Sequence, residues 1–152
     1  MSLRFDHLRL HAAGGLGEVY RATERETSRD VALKFIRNNF LSDEEVRKRF
    51  QLEAEITARL EHPGVVPVHG LGVTSSNRPF YVMRFVEGET LDDAIRRHHR
   101  GDKETGEKTT GAAERSLEFR GLLQRFVSVC NTIAYAHNRG IVHRDIKPHN
   151  VL

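Results

Sequence analysis

The segment Leu117–Asn138 places the strictest demand on the fold. Leu122, Leu123, Phe126, Val127, Val129, Cys130, Ile133, Ala134, Tyr135 and Ala136 leave a helix there with little polar face. A helix that is apolar nearly all round needs cover on most sides. The residues before it read as strands and one amphipathic helix, and one small sheet can cover one side at most. The chain therefore reads as holding part of a core. It should expose an apolar patch that aggregates or seeks a missing lobe or a partner chain. Val151–Leu152, an apolar pair following a polar loop, reads as a strand without a partner.

The remaining elements follow from local pattern. Leu8–Leu10 and Glu18–Ala22 read as strands around the turn Ala12-Ala13-Gly14-Gly15-Leu16-Gly17. Val31–Ile36 is β-branched and apolar enough for a third strand. Ser42-Asp43-Glu44-Glu45 reads as a capping box, with Ser42 as cap. The helix it opens carries Val46, Phe50, Ile56 and Leu60 at helical spacing and ends at Glu61-His62-Pro63-Gly64. Val65–Val73 and Phe80–Val86 give two further strands around the Ser75–Arg78 turn. Thr90-Leu91-Asp92-Asp93 opens a short helix reaching about His99. Arg100–Arg115 reads as an exposed loop, and Gly140 stands where a helix-ending glycine belongs.

Three groups of residues point to chemistry. The closely spaced glycines let backbone N–H groups approach phosphate oxygens, although a plain hairpin turn has the same appearance. In Val31-Ala32-Leu33-Lys34, alternation puts Ala32 and Lys34 on one face, a small residue and a cation that could cover a flat base and hold phosphates. Glu53 interrupts the apolar stripe of its helix, and Lys34 is its natural partner; the other reading is a partly exposed Glu53 at the stripe's edge. The sharpest group is His143-Arg144-Asp145-Ile146-Lys147-Pro148-His149-Asn150. There an Asp can orient a hydroxyl and take its proton, a Lys can neutralise a transferring phosphate, and an Asn can ligate Mg²⁺.

In this order the motifs resemble those of eukaryotic-type protein serine/threonine kinases, most of all the bacterial members. The resemblance spans essentially the whole chain. It implies an α+β, kinase-like fold: a five-stranded antiparallel sheet and one helix in an N-terminal lobe with its hinge (1–86), then a partial helical lobe (87–152). It also implies ATP and Mg²⁺. The glycine motif maps onto Ala12, Ala13, Gly14, Gly15, Leu16, Gly17, Glu18 and Val19, with Ala12 in place of the first glycine. Lys34 would contact the α/β-phosphates and pair with Glu53. Val19 and Ala32 would hold the adenine, Leu152 would lie beneath it, Met83 would be the gatekeeper, and Arg84, Phe85 and Val86 would form the hinge. Asp145 would be the catalytic base, Lys147 a phosphate contact and Asn150 a Mg²⁺ ligand. Lys147-Pro148 follows the serine/threonine pattern, so a protein Ser/Thr hydroxyl is the expected substrate. The chain reads as a kinase domain cut short after this loop. The alternative is a catalytically inactive ATP-binding or protein-interaction fragment.

Composition narrows the rest. With 152 residues, 38% hydrophobic and 30% charged, the chain is neither collagenous nor strongly disordered. No apolar run approaches the ~20 residues of a membrane-spanning helix, and Met1–Asp6 lacks the apolar region of a secretory leader. One cysteine, Cys130, permits no internal disulfide and suits a reducing cytoplasm. The histidines are scattered, without zinc-site spacing. A net charge of +3 does not call for a nucleic-acid partner, although the Arg96–Arg100 cluster could dock something acidic.

Overall fold

The strand-like stretches form β1 (Phe5–Ala13), β2 (Gly17–Glu24), β3 (Arg29–Ile36), β4 (Val68–Val73) and β5 (Pro79–Arg84). They make one antiparallel sheet in the order β1-β2-β3-β5-β4. This computed structural model describes residues 4–104 and 112–152. Met1–Phe85 and Val86–Leu152 form two separate units. The five-stranded antiparallel sheet is the one expected. Ala12 and Ala13, read as part of the glycine turn, instead extend β1 and pair with Val19 and Glu18.

The central strand β3 divides its side chains strictly, as a pleated strand must. Val31, Leu33 and Phe35 join Phe5, Ala22, Phe80 and Val82 in one buried cluster. Ile36, in phase with Ala32 and Lys34, joins Tyr81, Phe50 and Ala54 in a second. That second cluster is where α1 (Glu44–Ala58) packs on the sheet. The phase that buries Val31 and Leu33 therefore turns Lys34 toward α1. Among the described residues Glu24 is the exception to an apolar interior, 2% exposed. It accepts hydrogen bonds from Thr27, Arg4 and Arg29, which hold its carboxyl below the usual range against the opposing effect of burial.

Asp43, not Ser42, caps α1: its carboxylate accepts from the N–H groups of Glu45 and Val46 at 3.0 and 3.1 Å. Either residue suits the position chemically. The backbone starts the helix one residue later, at Glu44, so Asp43 holds the capping geometry.

Gly72 stands opposite Phe80 in the β4–β5 pair. A Cβ there would lie 2.4 Å from the Phe80 ring. That ring is held between Phe5, edge-on at 6.3 Å, and Phe35 at 5.3 Å, so it has nowhere to turn. Gly72→Ala is expected to destabilise the protein by about 2 kcal/mol. Thermal unfolding should show a Tm lower by roughly 4–8 °C; an unchanged Tm would mean that the ring is not confined.

In the second unit, α2 (Leu91–Glu104) is capped by Thr90, whose Oγ1 accepts from the Asp93 N–H while the Asp93 carboxylate accepts from the Thr90 N–H and hydroxyl. Helix α3 spans Ala112–His137. The loop expected over Arg100–Arg115 is thus replaced at both ends by helix, and residues 105–111 lie outside the described residues. Charged and small residues make that stretch resemble a loop, yet they form long polar helix ends equally well. Glu89 pairs with Arg97 of α2 and Arg125 of α3. Gly140 follows α3 with φ 72°, as expected of a helix-ending glycine.

Leu117, Phe119, Leu123, Phe126 and Val127 on α3 are exposed, as the apolar patch required. Val151–Leu152 is not a strand. Val151 follows a short 3₁₀ turn, Pro148–Asn150, and its carbonyl accepts from the Leu91 N–H at 2.8 Å. An apolar pair this short carries no periodicity, and the preceding proline sets the turn. Among the described residues no helix is long and apolar enough to cross a membrane.

Candidate active site

Two groups of the expected residues come together, one in each unit. In the first, Lys34 Nζ donates to Glu53 Oε1 at 2.6 Å. Lys34 is in phase with the β3 side chains that face α1, and Glu53 lies one turn beyond buried Phe50. The pair is only partly enclosed, with side chains 22% and 44% exposed. Glu53 is thus at the stripe's edge and paired as well, and the strong penalty for splitting a buried pair does not apply.

Tyr81 was not anticipated. Its hydroxyl donates to the same Glu53 oxygen at 2.8 Å. Burial, followed by the Glu53 charge, raises its ionisation above the ordinary phenol value, so it stays a donor. The signal was legible: alternation along β5 puts Tyr81 on the face of Lys34, its cross-strand partner.

Gly14, Gly15 and Leu16 join β1 to β2. The Gly14 N–H donates to Gly17 O at 2.9 Å, and the Arg37 N–H to Leu16 O at 3.1 Å. A Cβ on Gly17 would stand 3.0 Å from Phe35 O and 3.1 Å from Lys34 Cε, so this glycine allows the turn to lie against the lysine stem. At the base of the turn, Glu18 accepts from Arg78 at 2.7 Å. Arg78 also donates to Ile36 O at 2.7 Å and lies over the Phe35 ring.

Val19 stands opposite Lys34, and Ala32 stands opposite Met83, so these four residues share one sheet face. The Arg84 N–H is committed to Pro67 O at 3.0 Å. The Phe85 ring meets the Arg21 guanidinium at 4.6 Å and His11 at 5.1 Å. Val86 and Leu152 belong to the second unit.

In that unit Asp145 is the meeting point. Lys147 Nζ donates to Asp145 Oδ1 at 3.0 Å. Asn150 Nδ2 donates to Asp145 O at 2.9 Å and Oδ2 at 3.0 Å. The Asp145 N–H donates to His143 Nδ1 at 3.2 Å, and Arg144 before it has φ 63°. The 3₁₀ turn starting at Pro148 brings Asn150 back onto Asp145. The Lys147 hydrogen bond, then that of Asn150, with the charges of Lys147 and His143, holds the Asp145 carboxyl below its usual range. A carboxylate so placed accepts hydrogen bonds at neutral pH. Asn150 uses its amide nitrogen toward Asp145, which leaves its carbonyl oxygen as a hard donor suited to Mg²⁺. Among the described residues, no group of three or more His, Cys, Asp or Glu is placed to hold a metal.

A model of the protein kinase domain family matches residues 8–152. The chain is 41% identical to the serine/threonine-protein kinase PknD of Chlamydia caviae over 98% of this chain and 15% of that protein. It is 35% identical to PknD of Protochlamydia amoebophila over 91% of this chain and 14% of that protein. The chain thus spans about 15% of the length of the curated relatives it matches. Among solved structures it is similar to the PknI kinase domain of Mycobacterium tuberculosis, with a TM-score of 0.66 and 29% identity, covering 99% of this chain and 56% of that one.

Proposed function

Since the chain belongs to the protein kinase family, we propose that it supplies the phosphate-holding and hydroxyl-orienting parts of a serine/threonine kinase acting on protein substrates. The observation that carries this reading is the convergence of Lys147 and Asn150 on Asp145. In the transfer, the substrate Ser or Thr oxygen forms a bond to the γ-phosphorus of ATP as the bond from that phosphorus to the β–γ bridging oxygen breaks. ADP leaves, and the hydroxyl proton passes to an Asp145 carboxylate oxygen. Lys147 meets charge on the moving phosphoryl group. Lys34, oriented by Glu53, meets the α/β-phosphates, and the Gly14–Gly17 turn covers them. Val19, Ala32 and Met83, on one face of the sheet, together with the backbone of Arg84 and Phe85, would hold the adenine. Asn150 would hold Mg²⁺, which when bound neutralises phosphate charge.

Two further proposals follow from the same residues. The single Cys130 supports a reducing, cytoplasmic setting. The exposed apolar face of α3 supports contact with further protein surface, in the complete kinase or from a partner.

Incubation with γ-labelled ATP, Mg²⁺ and a generic protein substrate tests the activity. Label on Ser or Thr is the expected result. Mg-ATP binding without transfer would support instead a nucleotide-binding or interaction module, and neither binding nor transfer would remove both readings.

A further inference from the structure

Glu53 Oε1 accepts two hydrogen bonds, from Lys34 at 2.6 Å and from Tyr81 at 2.8 Å. The two donors differ in kind. The Lys34 ammonium ends a flexible stem, whereas the Tyr81 ring is fixed: it is 5% exposed, packs against Phe50 of α1 at 5.2 Å, and belongs to the buried cluster with Ile36 and Ala54. Tyr81 is also the β5 partner of Lys34, whose Nζ lies 5.5 Å from the tyrosine ring centroid. One rigid residue thus touches the lysine, the carboxylate and the helix that carries the carboxylate. Should α1 move away from the sheet, the buried hydroxyl would lose its acceptor, at a cost in free energy.

We propose that Tyr81 is a positioning residue that holds Glu53 of α1 against Lys34, so that the sheet itself biases the helix toward the paired arrangement. Its consequence for catalysis rests on the phosphate role proposed for Lys34. Its effect on the pair does not.

Tyr81→Phe removes the hydroxyl and keeps the packing, so the fold should be retained. Because Glu53 is partly solvated, the hydroxyl's share is modest. The variant should raise the acylation rate of Lys34 by an amine-reactive ester, followed by mass spectrometry, roughly threefold. In a Glu53→Ala background, where Lys34 is already released, the same change should add nothing. An acylation rate equal to wild type would overturn the proposal, as would the same increase in both backgrounds. Mg-ATP binding forms a separate arm, in which Tyr81→Phe should weaken affinity roughly threefold to tenfold while Tm falls by no more than the roughly 2–4 °C of one lost hydrogen bond. If the wild-type chain binds no Mg-ATP, the nucleotide reading fails, and the acylation result still decides the role of Tyr81.

Discussion

Lys34→Met is expected to abolish the thermal stabilisation that the proposed binding of Mg-ATP would give the protein. A ligand at a hundredfold excess over its Kd stabilises the folded state by about 2.7 kcal/mol. For a chain of this size that corresponds to roughly 5–10 °C in Tm. Methionine keeps the aliphatic stem beside Gly17 and removes the ammonium. Lys34 and Glu53 are both partly solvated, and Tyr81 still donates to Glu53. The variant without nucleotide should therefore melt within ~1 kcal/mol of wild type. The loss of the nucleotide-induced shift then reports phosphate contact and not unfolding. An unchanged shift in Lys34→Met would refute the assigned role.

Asp145→Asn separates binding from transfer. Removing a general base lowers rates by about 10²–10⁴-fold, and label incorporation should fall by that much while the Mg-ATP shift in Tm persists. The loop should keep its shape: Asn150 also donates to the backbone carbonyl at position 145, and Lys147 is half-exposed. The pH dependence has a definite sign. In the proposed transfer the working form of Asp145 is the carboxylate, and its ionisation is held below the ordinary 3.8. The group therefore stays charged throughout the neutral range. Transfer between pH 6 and 8 should show no fall toward acid on account of Asp145. A variant that retained wild-type transfer would remove Asp145 from the chemistry.

How far the residues revealed this arrangement depended on the range of the interaction. The phase of β3 was legible, because Val31, Leu33 and Phe35 are apolar and alternate with Ala32 and Lys34. That phase alone turned Lys34 toward the helix. The partner Glu53 was legible as a carboxylate breaking an apolar stripe. Its degree of burial was not, since that depends on how far α1 slides along the sheet. Tyr81 was overlooked because an aromatic residue in a strand usually signals packing, and only the register opposite Lys34 gives its hydroxyl a second use. The grouping of Asp145, Lys147 and Asn150 in one loop was legible from residue type and spacing, but their convergence was not, because it depends on the turn at Pro148 that returns Asn150 onto Asp145. The errors lie where one residue decides: Asp43 in place of Ser42 as cap, Ala12 and Ala13 in the strand, and Val151 bonded to Leu91 instead of forming a strand. In each case two local conformations are close in energy, and contacts distant in sequence choose between them.

The bonds of Arg78 have a mechanical meaning. By gripping Glu18 and the Ile36 carbonyl at once, this side chain makes the start of β2 a built-in support, and the turn at Gly14–Leu16 becomes a cantilever extending from it. The displacement of a beam clamped at its root grows toward its free end. Displacement of this turn is therefore expected to be larger at Gly14 and Gly15 than at Glu18, where Arg78 holds the strand.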